Sequence, residues 1–453
     1  MNDKKFLIID SRPFGLFSIL LHTLDNCLWA EQNGYIPVVR WGPGRWDPNA
    51  GRLGTEGLIE TKTNRGHPKG GLLELTNFFE PTEHNSFDTF APNWFDITGN
   101  MEGIKNCLYA DNPEDNVWEY YFHPVSEFTV EQALKGEHLI SDIFQVPVRP
   151  PNELVAATLG KEDASLDISP APSGSTWGEF LCSKEGENTQ IIGSNINLIS
   201  NLRNYHPTVM HQYHMAAGAI AGDPQTDDDE KQRMMKRLKD ICDTHRQFIH
   251  NLMKRYIRIK TPILEKVREF GTEHWLRGAP MMGVHVRGTD KCGERHEDIN
   301  TGIRGYIAEV DYFLHHNPRG KIFLATDAEE VVSTFRVLYR DRLVVCPSKR
   351  VQSYNNRLPA PLTPGIAGRS HGEETLIEAL LLSKCDYFVG SDSNMSTMVL
   401  YFNPQVNYTV YMPGERMWCH DSGNPLVWSL PLLDGFNIIS TLRGGKPPEL
   451  RTL

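Results

Sequence analysis

The chain has 453 residues and a mass of 51.5 kDa, with 40% apolar and 23% charged residues, which excludes a chain too small or too polar to bury a core. Lys plus Arg is 46 and Asp plus Glu is 57, giving a net charge of −11, which argues against a dedicated nucleic-acid binder with its basic face. Cysteines at 27, 107, 182, 242, 292, 346, 385 and 419 stand singly with no C-x-x-C pair, so small buried thiols are expected rather than a disulfide scaffold or a zinc site.

The chain opens with a predicted strand, Phe6 to Asp10, a turn through Ser11-Arg12-Pro13-Phe14-Gly15, an amphipathic helix over about 17–32 and a second strand, Ile36 to Arg40. That βαβ start predicts parallel sheet. The opening apolar run is too short for a signal peptide or a span, and no window reaches the roughly 18 apolar residues of a membrane helix. A cytoplasmic protein without an integral membrane segment is the expectation.

Residues 41–100 are rich in Gly, Pro, Asn and aromatics and carry little periodicity. The aromatic run Val117-Trp118-Glu119-Tyr120-Tyr121-Phe122-His123-Pro124 reads as a core or interface segment, or as a stacking wall for a sugar or base. Residues 147–195 are irregular. The acidic run Thr226 to Glu230 suits a helix N-terminus, and Ile241, Phe248, Ile249, Leu252 and Tyr256 follow helical spacing up to Pro262, which kinks or restarts the helix. This stretch reads as a connector, with a domain boundary near 275.

From 280 onward strands and helices alternate. Strands are predicted at Met281–Val286, Lys321–Thr326, Leu343–Cys346, Asp386–Gly390 and Tyr408–Met412. Helices are predicted within 303–316, 328–340 and 371–384, with a short one after Asn394. The pattern predicts a doubly wound α/β sheet, whose ligands bind outside the carboxyl ends of the strands. Three strand ends carry polar clusters: Arg287-Gly288-Thr289-Asp290-Lys291, Thr326-Asp327, and Ser391-Asp392-Ser393-Asn394. Parallel strands would bring them to one edge, where Ser393 and Asn394 open a helix suited to a phosphate and Arg287 offers a bidentate charge. The logic is that of a pyrophosphate site, with neither a P-loop nor a G-x-G-x-x-G.

The string Gly283-Val284-His285-Val286-Arg287-Gly288-Thr289-Asp290-Lys291 resembles the H-V-R-R-T-D-K signature of the α-1,6-fucosyltransferases, relatives of the rhizobial chitin-oligosaccharide and the protein O-fucosyltransferases. Thr261-Pro262-Ile263-Leu264-Glu265-Lys266, Phe323-Leu324-Ala325-Thr326-Asp327 and Leu382-Ser383-Lys384-Cys385-Asp386-Tyr387-Phe388-Val389 continue the likeness in order. Gly15-Leu16-Phe17-Ser18 stands where that superfamily has a glycine-rich loop. The resemblance runs over about 260–402, is weak at 1–40 and is absent between.

The resemblance implies a GT-B-like α/β fold: two Rossmann-like lobes facing a cleft, with an irregular insertion in the first. It implies an N-terminal acceptor-side lobe over 1–275, including the insertion (about 41–205) and the helical connector (about 227–275), and a C-terminal nucleotide-sugar lobe over 276–453. The activity implied is inverting, metal-independent transfer, most simply of L-fucose from GDP-fucose to a hydroxyl of a glycan or protein, with no cofactor beyond the donor. Arg287 matches the arginine on the donor β-phosphate. His285 and Glu378 match positions that read guanine, Glu378 standing where the superfamily has Asp. Asp290, Lys291 and Asp327 match polar site residues, Asn394 matches a serine near the phosphates, and Gly15, Ser18 and Ser393 complete the substrate-binding set. Gly288 replaces the second arginine, and Arg295 stands where an acid lies near the acceptor, which leaves Glu294, with Glu297 behind it, as the candidate base.

Three rival readings have smaller support. Gly368-Arg369-Ser370-His371-Gly372 fits a G-x-S-x-G hydrolase elbow, but the proline-bearing run Arg357 to Ala367 before it is no strand, and Ser370 to Glu373 also reads as a capping box. His206, His211 and His214, with Tyr213, lack the spacing of a metal motif. The third rival is a non-catalytic nucleotide- or glycan-binding protein on the same fold, motivated by Gly288.

Overall fold

A computed structural model describes residues 4–11, 13–42, 105, 107–141, 227–275, 279–289, 299–354, 359–391, 393–412, 416–421 and 424–429. Asp290, Lys291, Glu294, Glu297, Asp392, the histidines at 206, 211 and 214, and nearly all of the irregular stretches at 41–100 and 147–195 lie outside the described residues. The chain divides into two compact units, one of residues 1–216 and 240–260, the other of 217–239 and 261–453.

In the first unit, β1 (Lys5–Asp10) lies between β2 (Ile36–Arg40) and β3 (Glu137–Ser141), all parallel, with α1 (Leu16–Asn33) as the β1–β2 crossover. Every residue of α1 from Leu16 to Ala30 is buried, the polar Ser18, His22, Thr23, Asp25 and Asn26 among them. The register sets Asp10 beside Arg40, and the two close a bidentate ion pair at 2.5 and 2.6 Å. The aromatic run at 117–124 is core: Trp118, Tyr121 and Phe122 are buried and Trp118 and Phe122 pack edge-on against Trp41, so a stacking wall is not what these rings form. They need burial partners, and Trp41 at the end of β2 supplies one.

Polar residues inside α1 pair where they can. Asn26 donates to the His22 carbonyl at 2.9 Å and accepts from Ser141 Oγ at 2.6 Å, while the Trp41 indole N–H reaches Thr23 at 3.0 Å. Asp25 is the exception, fully buried with neither carboxylate oxygen meeting a hydrogen-bond partner among the described residues. Burial pushes its carboxyl well above the ordinary range. Such a group is protonated in both folded and unfolded chains at low pH, so its ionisation costs nothing there. As pH rises past the unfolded carboxylate value, about 3.9, the unfolded state ionises first and stability is lost. Asp25→Asn is therefore expected to raise the melting temperature at pH 7, by roughly 2–4 °C for each kcal/mol recovered, and to melt with wild type near pH 3. Parallel melting curves at the two pH values check this.

The longer segment of the second unit begins with α3 (Thr261–His274), after α2 (Asp228–Tyr256), whose residues are divided between the units. Pro262 is the second residue of α3, in the first turn where a missing N–H costs nothing, so it restarts the helix rather than kinking one. The alternation follows as read: β4 (Met281–Val286), a single turn at Ile299–Gly302, α4 (Arg304–His316), β5 (Lys321–Thr326), α5 (Glu329–Tyr339), β6 (Leu343–Val345), α6 (Arg369–Leu382), β7 (Tyr387–Ser391), α7 (Asn394–Phe402) and β8 (Asn407–Met412). Two strands not foreseen, β9 (Arg416–Asp421) and β10 (Asn424–Ser429), extend the sheet antiparallel beyond β8. Among the described residues the order is β10-β9-β8-β7-β4-β5-β6, with β8 to β6 parallel.

Side chains alternate across this sheet. Met282, Val284 and Val286 of β4 and Ile322 and Leu324 of β5 join Ile307, Val310, Val331 and Phe335 of α4 and α5 in one buried cluster. Phe323 faces the other way, its ring 5.9 Å from Phe270 of α3 and 5.5 Å from Trp275. Burying each such aliphatic side chain contributes about 1.5–3 kcal/mol. Both faces are thus sealed by apolar packing, and the carboxyl edge is left as the place for polar groups. The described cysteines Cys27, Cys107, Cys242, Cys346 and Cys385 are free and buried, as expected. Among the described residues no helix is long and apolar enough to cross a membrane.

Candidate functional site

Because β4, β5 and β7 run parallel and adjacent, their carboxyl ends share an edge. Arg287 follows β4 and Asp327 follows β5, and the register Val286 to Thr326 brings them side by side. Arg287 Nη1 lies 3.1 Å from Asp327 Oδ2. Asp327 also accepts from the Gly288 amide and from Thr289 Oγ1, each at 2.9 Å. Thr289 has φ 53° and donates its own amide to the Tyr354 carbonyl at 2.7 Å. Asp327 is therefore the anchor about which the chain turns after β4, and it fixes the direction of the guanidinium. Arg287 keeps 26% of its side-chain surface.

Gly288 has a packing reason. A Cβ there would lie 3.0 Å from Tyr354 Cδ2, 3.1 Å from Asp327 Oδ1 and 3.2 Å from the Tyr354 carbonyl oxygen. A side chain at 288 would require these neighbours to give by a few tenths of an ångström.

His285 is 4% exposed on β4, and its Nδ1 lies 3.0 Å from Ser396 Oγ and 3.5 Å from Ser393 Oγ. Ser393 is the N-cap of α7, its hydroxyl accepting from the Ser396 amide at 3.2 Å, and Asn394 is the first helical residue. Gly390 stands in register beside His285, and a Cβ on it would lie 2.5 Å from Ser396 Oγ and 2.6 Å from the Phe388 ring. Without a side chain at 390, the first turn of α7 approaches the sheet closely enough for Ser396 to hold the histidine. Ser396 was not singled out from the sequence, and its spacing of three from a helix-opening serine is the signal that could have found it.

Glu378, on α6, is 6% exposed and accepts from Ser348 Oγ at 2.7 Å and Arg350 Nη2 at 3.0 Å. Burial pushes its pKa up to about 7 and outweighs the pull of Arg350. His371, in the first turn of the same helix, is a further group of this edge. Burial lowers its pKa to about 4, helped by the charges of Arg287 and Lys349, so a neutral imidazole accompanies the guanidinium at pH 7. The sequence offered His371 only inside a serine-elbow string. Ser370 itself is an exposed helical residue, no strand precedes it, and the N-cap is Gly368 with no side-chain bond, so neither the elbow nor the Ser370–Glu373 capping box is formed.

Of the expected site residues, the described part of the second unit thus carries Arg287, Asp327, His285, Ser393, Asn394 and Glu378. Gly15 and Ser18 belong to the first unit, where Gly15 is the N-cap of α1 and the Leu16 amide donates to Tyr109 Oη at 2.7 Å. Among the described residues no three of His, Cys, Asp and Glu gather as a metal ion would need. The edge combines one oriented guanidinium, a buried neutral histidine and the capped N-terminus of α7, a set suited to a compact anion.

No protein-family model and no curated protein matches the chain. Among solved structures, the NodZ α-1,6-fucosyltransferase co-crystallised with GDP aligns over 94% of this chain and 99% of its own, at 14% identity and TM-score 0.38. A mutant of Arabidopsis thaliana FUT1 in complex with GDP aligns over 91% and 71%, at 11% identity and TM-score 0.35. POFUT1 in complex with GDP aligns over 91% and 100%, at 10% identity and TM-score 0.33. These structures carry the names of fucosyltransferases, the superfamily that the second-half motifs resemble.

Proposed function

We propose that the protein is a glycosyltransferase that moves L-fucose from GDP-fucose to a hydroxyl of a glycan or protein acceptor, with inversion and without a metal. The observation that carries the reading is the guanidinium of Arg287, held at the carboxyl edge by Asp327 within the superfamily-like string, on the same edge as the capped start of α7. The second unit then holds the donor and the first offers the acceptor surface.

The chemistry is a single displacement. The acceptor oxygen forms a bond to the anomeric carbon while the bond from that carbon to the β-phosphate oxygen breaks and GDP departs. The acceptor proton passes to a carboxylate, for which Glu294 is the candidate and Glu297 the reserve, with Asp290 and Lys291 as further catalytic candidates. Charge accumulates on the diphosphate, and Arg287 with the α7 amides neutralises it in this reading. His371, neutral beside that guanidinium, offers a hydrogen-bonding group without adding charge.

Thermal-shift measurements with GDP, UDP, GDP-fucose and GDP-mannose test the reading, since a ligand of the native state raises the melting temperature by mass action. Stabilisation by GDP and GDP-fucose, with none by UDP, is expected. Equal shifts for GDP and UDP, or none for either, contradict it. Gly288 favours a second reading, a binder that has lost transfer, which predicts the GDP shift without sugar turnover.

A further inference from the structure

Arg350 leaves the β6 exit at 4% exposure and spends its guanidinium on this edge. Its Nε donates to the Thr326 carbonyl at 3.0 Å, Nη1 to the Ser348 carbonyl at 2.9 Å, and Nη2 to the Cys346 carbonyl at 2.9 Å and to Glu378 Oε1 at 3.0 Å. It therefore ties the end of β5, one residue before Asp327, and the chain beyond β6 to a carboxylate on α6. Ser348 Oγ meets the same Oε1 at 2.7 Å. A carboxylate has about four lone-pair sites, and two donors on one oxygen leave Oε2 able to accept from a ligand. An oriented carboxylate suits neighbouring N–H donors, and among nucleobases guanine sets N1–H beside its exocyclic amine.

We propose that Arg350 and Ser348 are positioning residues that aim Glu378 for reading the N–H edge of the donor's base. The proposal rests on the nucleotide-sugar reading above and adds the residues that set its base specificity. Glu378 has its pKa pushed up to about 7 by burial, with Arg350 and the Ser348 hydroxyl opposing and Glu374, on its own helix, adding to the rise. Cys346 also faces it electrostatically, and Glu329 lies 3.9 Å from Arg350. Each donor lost thus favours the protonated carboxyl, which accepts poorly from N–H groups.

Calorimetric titration of GDP and of inosine diphosphate, which lacks the exocyclic amine, into wild type, Ser348→Ala and Arg350→Lys separates this role from a structural one. Wild type is expected to prefer GDP by about tenfold, the worth of one hydrogen bond to a charged acceptor. In both variants the preference falls toward unity, and the pH below which GDP affinity drops moves upward. Ser348→Ala leaves every backbone contact of Arg350 in place, so it reports on Glu378 even where Arg350→Lys lowers stability. Equal losses for the two nucleotides, or an unmoved pH profile, overturn the proposal. Wild type binding neither nucleotide overturns the nucleotide-sugar reading beneath it.

Discussion

Replacing Arg287 by Ala is expected to lower kcat for sugar transfer by roughly 10²–10³-fold, the usual loss when one preorganised charge stabiliser is removed. In the proposed reaction the leaving diphosphate gains charge as the bond to the anomeric carbon breaks, and the substitution removes the guanidinium that is proposed to meet it. Stability should change little. Arg287 is partly exposed, and Asp327 retains its bonds from the Gly288 amide and Thr289 hydroxyl after the substitution. Steady-state kinetics alongside a melting curve separates the two effects, and a variant that transfers sugar at the wild-type rate contradicts the site assignment.

Replacing Asp327 by Ala should be the more damaging substitution, because it removes activity and stability together. The carboxylate is 11% exposed and carries the turn after β4, including Thr289 in its left-handed conformation. Its loss removes the acceptor of the Gly288 amide and of the Thr289 hydroxyl and the ion-pair partner of Arg287. Two hydrogen bonds to a charged acceptor predict a loss of roughly 3 kcal/mol in unfolding free energy, with transfer reduced at least as far as in the Arg287 variant. Asp327→Asn should recover part of the stability by keeping the bond from the Gly288 amide, and less of the activity, because the neutral amide no longer draws the guanidinium into place. Chemical denaturation of both variants tests this order.

Much of the second unit was legible because its strands are short apolar runs, each closed by a polar residue, and parallel topology then dictates that those residues meet. Arg287, Asp327 and Ser393 could be placed on one edge from that rule alone. Arg350 could not. It sits in a loop rich in Pro, Gly and Arg with no periodicity, and its role depends on the carbonyls of Thr326, Cys346 and Ser348, acceptors that every residue possesses. Tyr354 is hidden for a similar reason, since it supports Thr289 through a backbone carbonyl. The β9–β10 pair carried a turn signal in Ser422-Gly423 between two aromatic-bearing runs. That signal is easily lost after a clean βα alternation, where another crossover helix is the default. In the first unit α1 was read at nearly its observed bounds, but as amphipathic. Its polar residues His22, Asp25 and Asn26 are all buried.

The most direct measurement is a crystal structure of the protein with GDP bound. The expected result places diphosphate oxygens about 2.7–2.9 Å from the Arg287 guanidinium, the range of charge-assisted bonds, beside the first turn of α7. A nucleotide seated elsewhere on the chain, with Arg287 still turned wholly to Asp327, would contradict it.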